Sequence, residues 1–193
     1  MKEIPLQILG TGECAPSIQV DSEEFDARFN KAAGWTFDRT GIRCRAYAGD
    51  GESVVNMGAA AAQEALSNAG LSARDLDLIV AVGSVPAQSI PCTAALLQRQ
   101  LGIPAEGSAA FDVNATCLGF LAALDLIAQG LATQRYRTVL IVASERPSIG
   151  LRQSDHSTSA LFGDGAGAVV IGAGPLVKLD ISSRHFVPRR PTN

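Results

Sequence analysis

Apolar positions along the 193-residue chain follow two patterns, short continuous runs and longer stretches with a helical repeat. The short runs are typical of strands buried in a sheet, whereas the longer stretches, ended by glycine or proline, are typical of helices. Strands are predicted at residues 4–12, 76–82, 109–113 and 138–144, with two closing candidates at 166–172 and 176–182. Helices are predicted at residues 54–69, 93–101 and 117–131.

This alternation, βαβαβαββ with the closing candidates counted together, predicts an α/β fold with a mixed, mostly parallel sheet. The helix at 117–131 adds a requirement, because only Asp125 and Gln129 are strongly polar in it. One sheet can cover only one face of such a helix. We therefore expect a second element or another chain to pack on the opposite face, and we expect the chain to self-associate.

The composition narrows the classes of function without selecting one. Hydrophobic residues make up 47% and charged residues 18% of the sequence, and the formal net charge is −3. This is a globular composition, long enough for one sizeable domain. The pI of about 5.4 offers no electrostatic footprint for nucleic acid or an anionic membrane, so neither is expected as a partner.

Four widely separated cysteines, Cys14, Cys44, Cys92 and Cys117, form no CxxC pair and have no zinc-ligand spacing. They are typical of a reducing compartment. The N-terminal residues lack the apolar core of a signal peptide, and the sequence lacks a long apolar run free of charge. We therefore expect a cytoplasmic protein with no metal site and no bound cofactor.

The segment FDVNATCLGF, residues 111–120, places one cysteine where a strand ends and a helix begins. Free N–H groups at a helix N-terminus stabilise an anion by up to about 2 kcal/mol and can hold an oxyanion on a thioester. Cys117 is therefore a candidate nucleophile. Local sequence leaves an alternative open, in which Cys117 is a small buried apolar residue.

Three motifs, DRTGIR at 38–43, FDVNATCLGF at 111–120 and LFGDGAGAVVIG at 161–172, closely resemble the β-ketoacyl-acyl-carrier-protein synthase III family of the thiolase-like superfamily. The resemblance covers the N-terminal half of such an enzyme. Complete members have two halves of similar topology packed face to face, with the nucleophile helix between them. The resemblance implies a thiolase-like half at 1–181, followed by an atypical basic tail at 182–193 that we expect to be disordered.

The resemblance assigns roles to individual residues. It makes Cys117 the nucleophile that accepts an acyl group from acyl-CoA, which is a substrate rather than a cofactor. It places Trp35 and Arg39 at the adenine end of coenzyme A, where an indole stacks on a purine and a guanidinium binds phosphate, and Arg152 could share that site. Ile90 matches a position that reaches across a dimer to shape the partner's acyl pocket.

Ordinary structural roles stay open for these side chains. Trp35 could be a core or rim aromatic residue, and Arg39 could pair with Asp38. Ile90, which precedes Pro91, could simply pack before a helix.

Gly163, Gly165 and Gly167 in FGDGAGA do not predict a phosphate-binding loop, because a strand rather than a helix follows them. We expect these glycines to permit a close backbone approach beside the active site. His156, in the polar segment QSDHSTS, is interpreted as a solvated loop residue.

In the family, decarboxylative condensation uses a histidine and an asparagine from the C-terminal half, to which neither His156 nor Asn114 corresponds. Two functions therefore stay open. In the first, acyl-CoA acylates Cys117 and the acyl group condenses with malonyl-acyl-carrier protein to start fatty-acid or polyketide chains, in a homodimer or with a complementary C-terminal half. In the second, the chain is a non-condensing module that binds acyl-CoA or another polypeptide. We expect the 193-residue chain alone to lack useful condensing activity.

Overall fold

A five-stranded sheet forms the centre of the computed structural model, which describes residues 3–178. Its strands are β1 (Glu3–Cys14), β4 (Leu78–Val82), β5 (Ala109–Val113), β6 (Thr138–Glu145) and β7 (Gly165–Lys178). A separate antiparallel pair is formed by β2 (Ile18–Asp21) and β3 (Cys44–Tyr47).

The strand order in the large sheet is β1-β7-β6-β4-β5. Strand β4 pairs in parallel with both β5 and β6, whereas β7 is antiparallel to both of its neighbours, β6 and β1. Strand β1 therefore runs in the same direction as β4, β5 and β6, and β7 alone opposes them. The predicted α/β fold with a mixed, mostly parallel sheet is confirmed.

Helices cover both faces of this sheet. They are α1 (Ser22–Arg28), α2 (Trp35–Thr40), α3 (Val54–Ala69), α4 (Thr93–Gln100), α5 (Gly119–Ala132) and α6 (His156–Ser159). Apolar residues of α3 and α4 pack on one face, and those of α5 pack on the other. A smaller cluster joins Phe25 of α1, Val20 of β2 and Ala160, which directly follows α6.

Helix α3 lies directly on the backbone of β1. A β-carbon added at Gly10 would overlap the carbonyl oxygen of Ala65, and one added at Gly12 would overlap that of Ala61. Only glycine permits this approach, because the obstructing atoms belong to the helix backbone and cannot rotate away. Both glycines lie in the stretch that the apolar pattern identifies as the first strand.

The structure differs from the predicted elements between β1 and α3 and in the last strand, it adds the short helix α6, and α5 begins later than predicted. The chain between residues 12 and 54 carries β2, α1, α2 and β3, none of which the apolar pattern predicts, because these elements are four to seven residues long and show no full period. The two closing candidates, 166–172 and 176–182, form the single strand β7 as far as Lys178. The pairing of β1 with β7 is irregular, with register shifts in β1 between Pro5 and Gln7 and between Ile8 and Gly10.

Residues 179–182 of the last candidate and the predicted basic tail at 182–193 lie outside the described residues. Within residues 3–178, no helix combines the length and the apolar content that crossing a membrane requires.

Candidate active site

The carboxyl ends of β4, β5 and β6 meet at one edge of the sheet, and Cys117 lies just beyond the end of β5. Cys117 is the middle residue of a 3₁₀ turn, Thr116–Leu118, and α5 begins only at Gly119. The prediction that Cys117 opens the α-helix is therefore wrong by two residues. The alternative of a small buried residue is also wrong, because Cys117 is exposed.

The tight turn changes which backbone groups are available beside Cys117. The N–H of Leu118 donates to the carbonyl of Ala115 at 3.1 Å, and the N–H of Gly119 donates to that of Thr116. These two amides are satisfied within the turn, so they are not free to hold an oxyanion as the position at a helix N-terminus predicts. An oxyanion partner for Cys117 has to come from other groups.

Thr116 supports Cys117 through a backbone conformation that sequence reasoning missed. Its φ is 48°, in the left-handed region that a β-branched residue rarely occupies and that costs about 1–3 kcal/mol. Two hydrogen bonds of the Asn114 side-chain amide stabilise this conformation. Its Oδ1 accepts from the N–H of Thr116 at 3.2 Å, and its Nδ2 donates to the carbonyl of Ser84 at 3.1 Å. The one available sequence signal was an asparagine in a turn, a residue type that often bonds the backbone two residues on.

Backbone hydrogen bonds of Ser84 connect the ends of three strands. Its carbonyl accepts from Asn114 after β5, and its own N–H donates to the carboxylate of Glu145 at the end of β6. Ser84 itself follows β4. This edge, on which Cys117 is presented, is therefore held by hydrogen bonds between connecting segments as well as by the strand ladder.

A cavity of about 270 Å³ opens at the same edge, beneath the loop that follows β4. Its lining includes Val82, Val85, Cys92 and Asn114, but Cys117 is not among the lining residues. Ile90 stands on the outer side of this loop and is 86% exposed, which excludes the alternative of ordinary packing before α4. Its contribution to a partner's acyl pocket stays a prediction.

Two cations lie against the Trp35 ring. The Arg39 guanidinium carbon lies 4.3 Å from the centre of the Trp35 ring, and the Lys31 ammonium lies 5.0 Å from it. Arg39 follows Trp35 by one helical turn, which places the two side chains on one face of α2. Arg39 stacks on this ring and forms no ion pair with Asp38, the alternative left open by the sequence.

Asp26 fixes the start of α2 and with it the backbone of Trp35. Its buried carboxylate accepts from the N–H groups of Gly34 at 2.7 Å and Thr36 at 2.8 Å, on either side of Trp35. Hydrogen bonds from Thr36 and then Gly34 lower the pKa of the Asp26 carboxyl. Asp26 therefore stays ionised and keeps these two amides satisfied.

His156 packs against Trp35 instead of facing solvent from a loop, so its interpretation as a solvated residue is wrong. Its ring centre lies 4.4 Å from that of Trp35 and 4.9 Å from that of Phe29, both edge to face. Its Nε2 lies 3.2 Å from Oγ1 of Thr36. The local sequence is polar, and the packing of α6 against α1 and α2 leaves this residue only partly exposed.

A nearby depression of about 370 Å³ does not suit a phosphate group. Carboxylates of Asp21, Glu23 and Asp26 line it, with Arg43 as its one lining cation. The exposed cations on Trp35 are the better electrostatic match for an anionic ligand.

Comparisons with known proteins agree with this geometry. The sequence profile of the 3-oxoacyl-[acyl-carrier-protein] synthase III family matches residues 111–185. The β-ketoacyl-[acyl-carrier-protein] synthase III of Rhodospirillum centenum is 40% identical over 166 residues, which are 86% of this chain and 51% of that protein. The chain belongs to the 3-oxoacyl-[acyl-carrier-protein] synthase III family. It spans about half the length of the curated relatives it matches.

Solved structures of synthase III proteins share this fold. The crystal structure of 3-oxoacyl-[acyl-carrier-protein] synthase III from Aquifex aeolicus aligns with a TM-score of 0.82 at 37% identity, over 88% of this chain and 54% of that one. A priming β-ketosynthase from a polyketide biosynthetic pathway aligns with a TM-score of 0.83 at 34% identity, over 90% and 51% of the two chains.

The stretch matched by the synthase III profile includes Cys117 and the FGDGAGA glycines. A β-carbon at Gly163 would lie 3.1 Å from the carbonyl oxygen of Ala46, which is the close backbone approach predicted for this motif. The same prediction is wrong for Gly165 and Gly167, where the nearest atoms would be 3.8 and 4.0 Å away. These two glycines pair with β6 in the ladder, at the sheet edge that presents Cys117.

Arg152 lies in the stretch matched by the synthase III profile, and within residues 3–178 its side chain has no fixed bonding partner. It is exposed in the segment before α6. Hydrogen bonds from Ser157 and Thr158 are the main cause of the lowered pKa of Asp155, and the charge of Arg152 lowers that pKa further. The segment is held to α1 by a bond of 2.7 Å from Arg28 to Gln153. A share of Arg152 in coenzyme A binding stays a prediction, as do the roles of Trp35 and Arg39.

Proposed function

We propose that Cys117 accepts an acyl group from acyl-CoA. The observation that carries this proposal is the exposed thiol at the carboxyl edge of the parallel strands, held in a strained turn by Asn114. The Cys117 sulfur attacks the thioester carbonyl, the carbon–sulfur bond to coenzyme A breaks, and a new thioester forms on Cys117. The proton of the Cys117 thiol is carried away on the coenzyme A thiol.

In the complete protein, we propose that the acyl group then condenses with malonyl-acyl-carrier protein. Loss of carbon dioxide leaves a carbanion that attacks the carbonyl carbon of the Cys117 thioester. The bond from this carbon to the Cys117 sulfur breaks, Cys117 leaves as a thiolate, and the new carbon–carbon bond gives a 3-oxoacyl-carrier product. The names of the synthase III relatives support this reaction, and the chain spans about half of their length. All four cysteines are free, which supports the proposal of a reducing, cytoplasmic setting.

Trp35, with Lys31 and Arg39 against its ring, is the proposed binding site for the phosphoadenosine end of acyl-CoA. An adenine ring stacks on one face of the indole once a flexible cation swings aside, and the displaced cation is then free to bind phosphate. Lys31 and Arg39 are both exposed, so neither movement disturbs the core.

Removing the Arg39 guanidinium is expected to weaken coenzyme A binding about tenfold, or about 1.4 kcal/mol. Calorimetric titration of the 193-residue chain with coenzyme A measures this in wild type and Arg39→Ala. Arg43→Ala is the matched control, because Arg43 is also exposed but stacks on Phe37 at 4.5 Å. Equal losses in the two variants would show general charge attraction and would contradict a site at Trp35.

The outer face of α5 supports a second proposal, that another polypeptide covers it. Asp125 and Gln129 are exposed there, together with four large apolar residues. These are Leu118, Phe120, Leu121 and Leu126, with exposures of 63%, 38%, 43% and 53%. We propose that a second copy or a complementary C-terminal half packs on this face, since a contiguous exposed apolar patch marks an interface.

The 193-residue chain is expected to self-associate through this face. Light scattering should give a dimer or larger species for wild type, and the double variant Leu121→Lys, Leu126→Lys should shift the distribution toward monomer. Leu131→Lys is not informative, because Leu131 is buried against the sheet. A wild-type chain that is a monodisperse monomer and binds no hydrophobic dye would exclude this interface.

A further inference from the structure

Glu145, the last residue of β6, is connected to the turn that carries Cys117 by three hydrogen bonds in series. Its carboxylate accepts from the N–H of Ser84. The Ser84 carbonyl accepts from Nδ2 of Asn114 at 3.1 Å, and Oδ1 of the same Asn114 amide accepts from the N–H of Thr116 at 3.2 Å. This hydrogen-bond series therefore ends on the residue that directly precedes Cys117.

The register of the parallel strands brings the members of the series together. Val82 on β4 pairs with Val113 on β5 and with Ala143 on β6, so the three strands reach this edge side by side. Glu145 is itself paired with Gly165 of β7 in the ladder. The sheet therefore fixes the carboxylate end of the series, whereas the other end lies in a turn outside the sheet.

The turn depends on this support because Thr116 has a φ of 48°. A β-branched residue stays in this left-handed region only when surrounding groups hold it there. Ser84 and Asn114 are both exposed, so hydrogen bonds rather than packing fix their positions. Since Cys117 follows Thr116 directly, a change of this torsion moves the thiol relative to the sheet edge.

We propose that Glu145 is a positioning residue for Cys117. Acting through Ser84 and Asn114, it holds the left-handed turn in the conformation that presents the thiol to an acyl thioester. This inference rests on the proposed acylation of Cys117. A misplaced nucleophile lowers the rate of the chemical step even when the substrate is fully bound, so Glu145 affects the acylation rate and not the affinity for acyl-CoA.

Glu145→Ala removes the acceptor of the Ser84 N–H and is expected to lower the acylation rate at saturating acetyl-CoA about threefold to tenfold. The acetyl-CoA concentration that gives half of this rate should stay unchanged, because the proposed coenzyme A site at Trp35 lies on α2. Glu145→Gln keeps a side-chain oxygen that accepts from the same N–H, so it should restore most of the rate. Time courses of intact mass, with peptide mapping of the adduct to Cys117, measure both quantities.

Thr116→Gly separates positioning from a general structural role. Glycine adopts a positive φ without strain, so the turn then no longer depends on the hydrogen-bond series. In a chain that already carries Thr116→Gly, Glu145→Ala should change the saturating rate by less than about twofold. A carboxylate that only stabilised the fold would cause the same loss with either residue at position 116.

Two further variants complete the experiment. Glu52→Ala is the matched control, because the Glu52 carboxylate also accepts backbone N–H groups, from Gly49 at 2.6 Å and Ser17 at 3.0 Å, and within residues 3–178 it bonds to no member of the series. Its acylation rate should match wild type. Asn114→Ala interrupts the series at an exposed residue and should reproduce the loss, so it tests the inference even if Glu145→Ala does not fold. Thermal unfolding of each variant reports whether it is folded.

The outcomes separate this inference from the acylation on which it rests. Equal saturating rates in wild type, Glu145→Ala and Asn114→Ala would overturn the positioning role and leave Cys117 as the nucleophile. A loss that Thr116→Gly does not suppress, or a change in the half-saturating concentration alone, would overturn the positioning role as well. A wild-type chain that acetyl-CoA does not acylate at Cys117 would overturn both.

Discussion

Replacing Cys117 with alanine is expected to abolish covalent acylation by acyl-CoA. Loss of a catalytic nucleophile leaves only the reaction with other groups, so the rate should fall about 10³-fold or more. Intact-mass measurement after incubation with acetyl-CoA and longer acyl-CoAs detects the adduct without requiring condensation, and it also reports which acyl chains the protein accepts.

The structure makes Cys117 distinguishable from the other thiols. Cys117 is exposed, whereas Cys14, Cys44 and Cys92 are partly buried. Burial, together with Glu52 and Glu64, raises the pKa of Cys14, which further slows its reaction. Iodoacetamide near neutral pH is therefore expected to label Cys117 first.

Cys44→Ser is the matched control for this experiment. The Cys44 thiol donates to Oε1 of Gln19 at 2.9 Å, and a serine hydroxyl can make the same bond. This variant should acylate like wild type. If the adduct persists in Cys117→Ala, or if peptide mapping places it on another cysteine, the nucleophile has been assigned to the wrong residue.

Adding one methyl group at Gly12 is expected to destabilise the fold by about 2–3 kcal/mol. The new β-carbon of Gly12→Ala would meet the carbonyl oxygen of Ala61 and the backbone nitrogen of Ala65. Neither atom moves unless α3 shifts away from β1, and α3 contributes more buried residues to the core on its side of the sheet than any other element. Thermal unfolding followed by circular dichroism should show a Tm lower by about 5–10 °C.

Gly167→Ala provides the comparison on the neighbouring strand. Gly167 lies on β7 opposite Glu13, and a β-carbon there would find its nearest atom at 4.0 Å. The free energy of unfolding of Gly167→Ala should stay within about 0.5 kcal/mol of the wild-type value. Equal destabilisation by the two substitutions would mean that strand glycines matter for a general backbone reason and not for the contact with α3.

Long elements could be predicted from the sequence because burial repeats along them. Helix α3 and strand β5 have the predicted bounds, and α4, β4 and β6 differ from the predictions by one or two residues. Helices α3 and α4 pack on one apolar cluster, whereas β4 and β6 contribute alternate residues to the clusters on both faces of the sheet, so the pattern of apolar positions records the type of each element. The elements between Cys14 and Val54 are too short for such a record, although they carry Trp35 and the two cations that lie against its ring.

The candidate site likewise has features that the sequence predicted and features that only the structure shows. Residue types identified Cys117, Trp35 and Arg39 as the groups with suitable chemistry, and the motifs identified their family. The sequence could not show that a 3₁₀ turn precedes α5, because the turn depends on Asn114 reaching Ser84 in a connection 30 positions earlier. Nor could it show that His156 packs on Trp35, a contact across 121 positions of chain.

The sequence by itself determined the class of fold and the apolar character of α5 and pointed to Cys117 as the candidate nucleophile, because each depends on residue type and local period. Tertiary structure alone decided that α5 leaves Leu121 and Leu126 uncovered, that Thr116 is held at a φ of 48° and that His156 packs on Trp35. These properties come from contacts between distant segments. Such contacts set burial and electrostatic environment, and neither is encoded in the local pattern of apolar and polar residues.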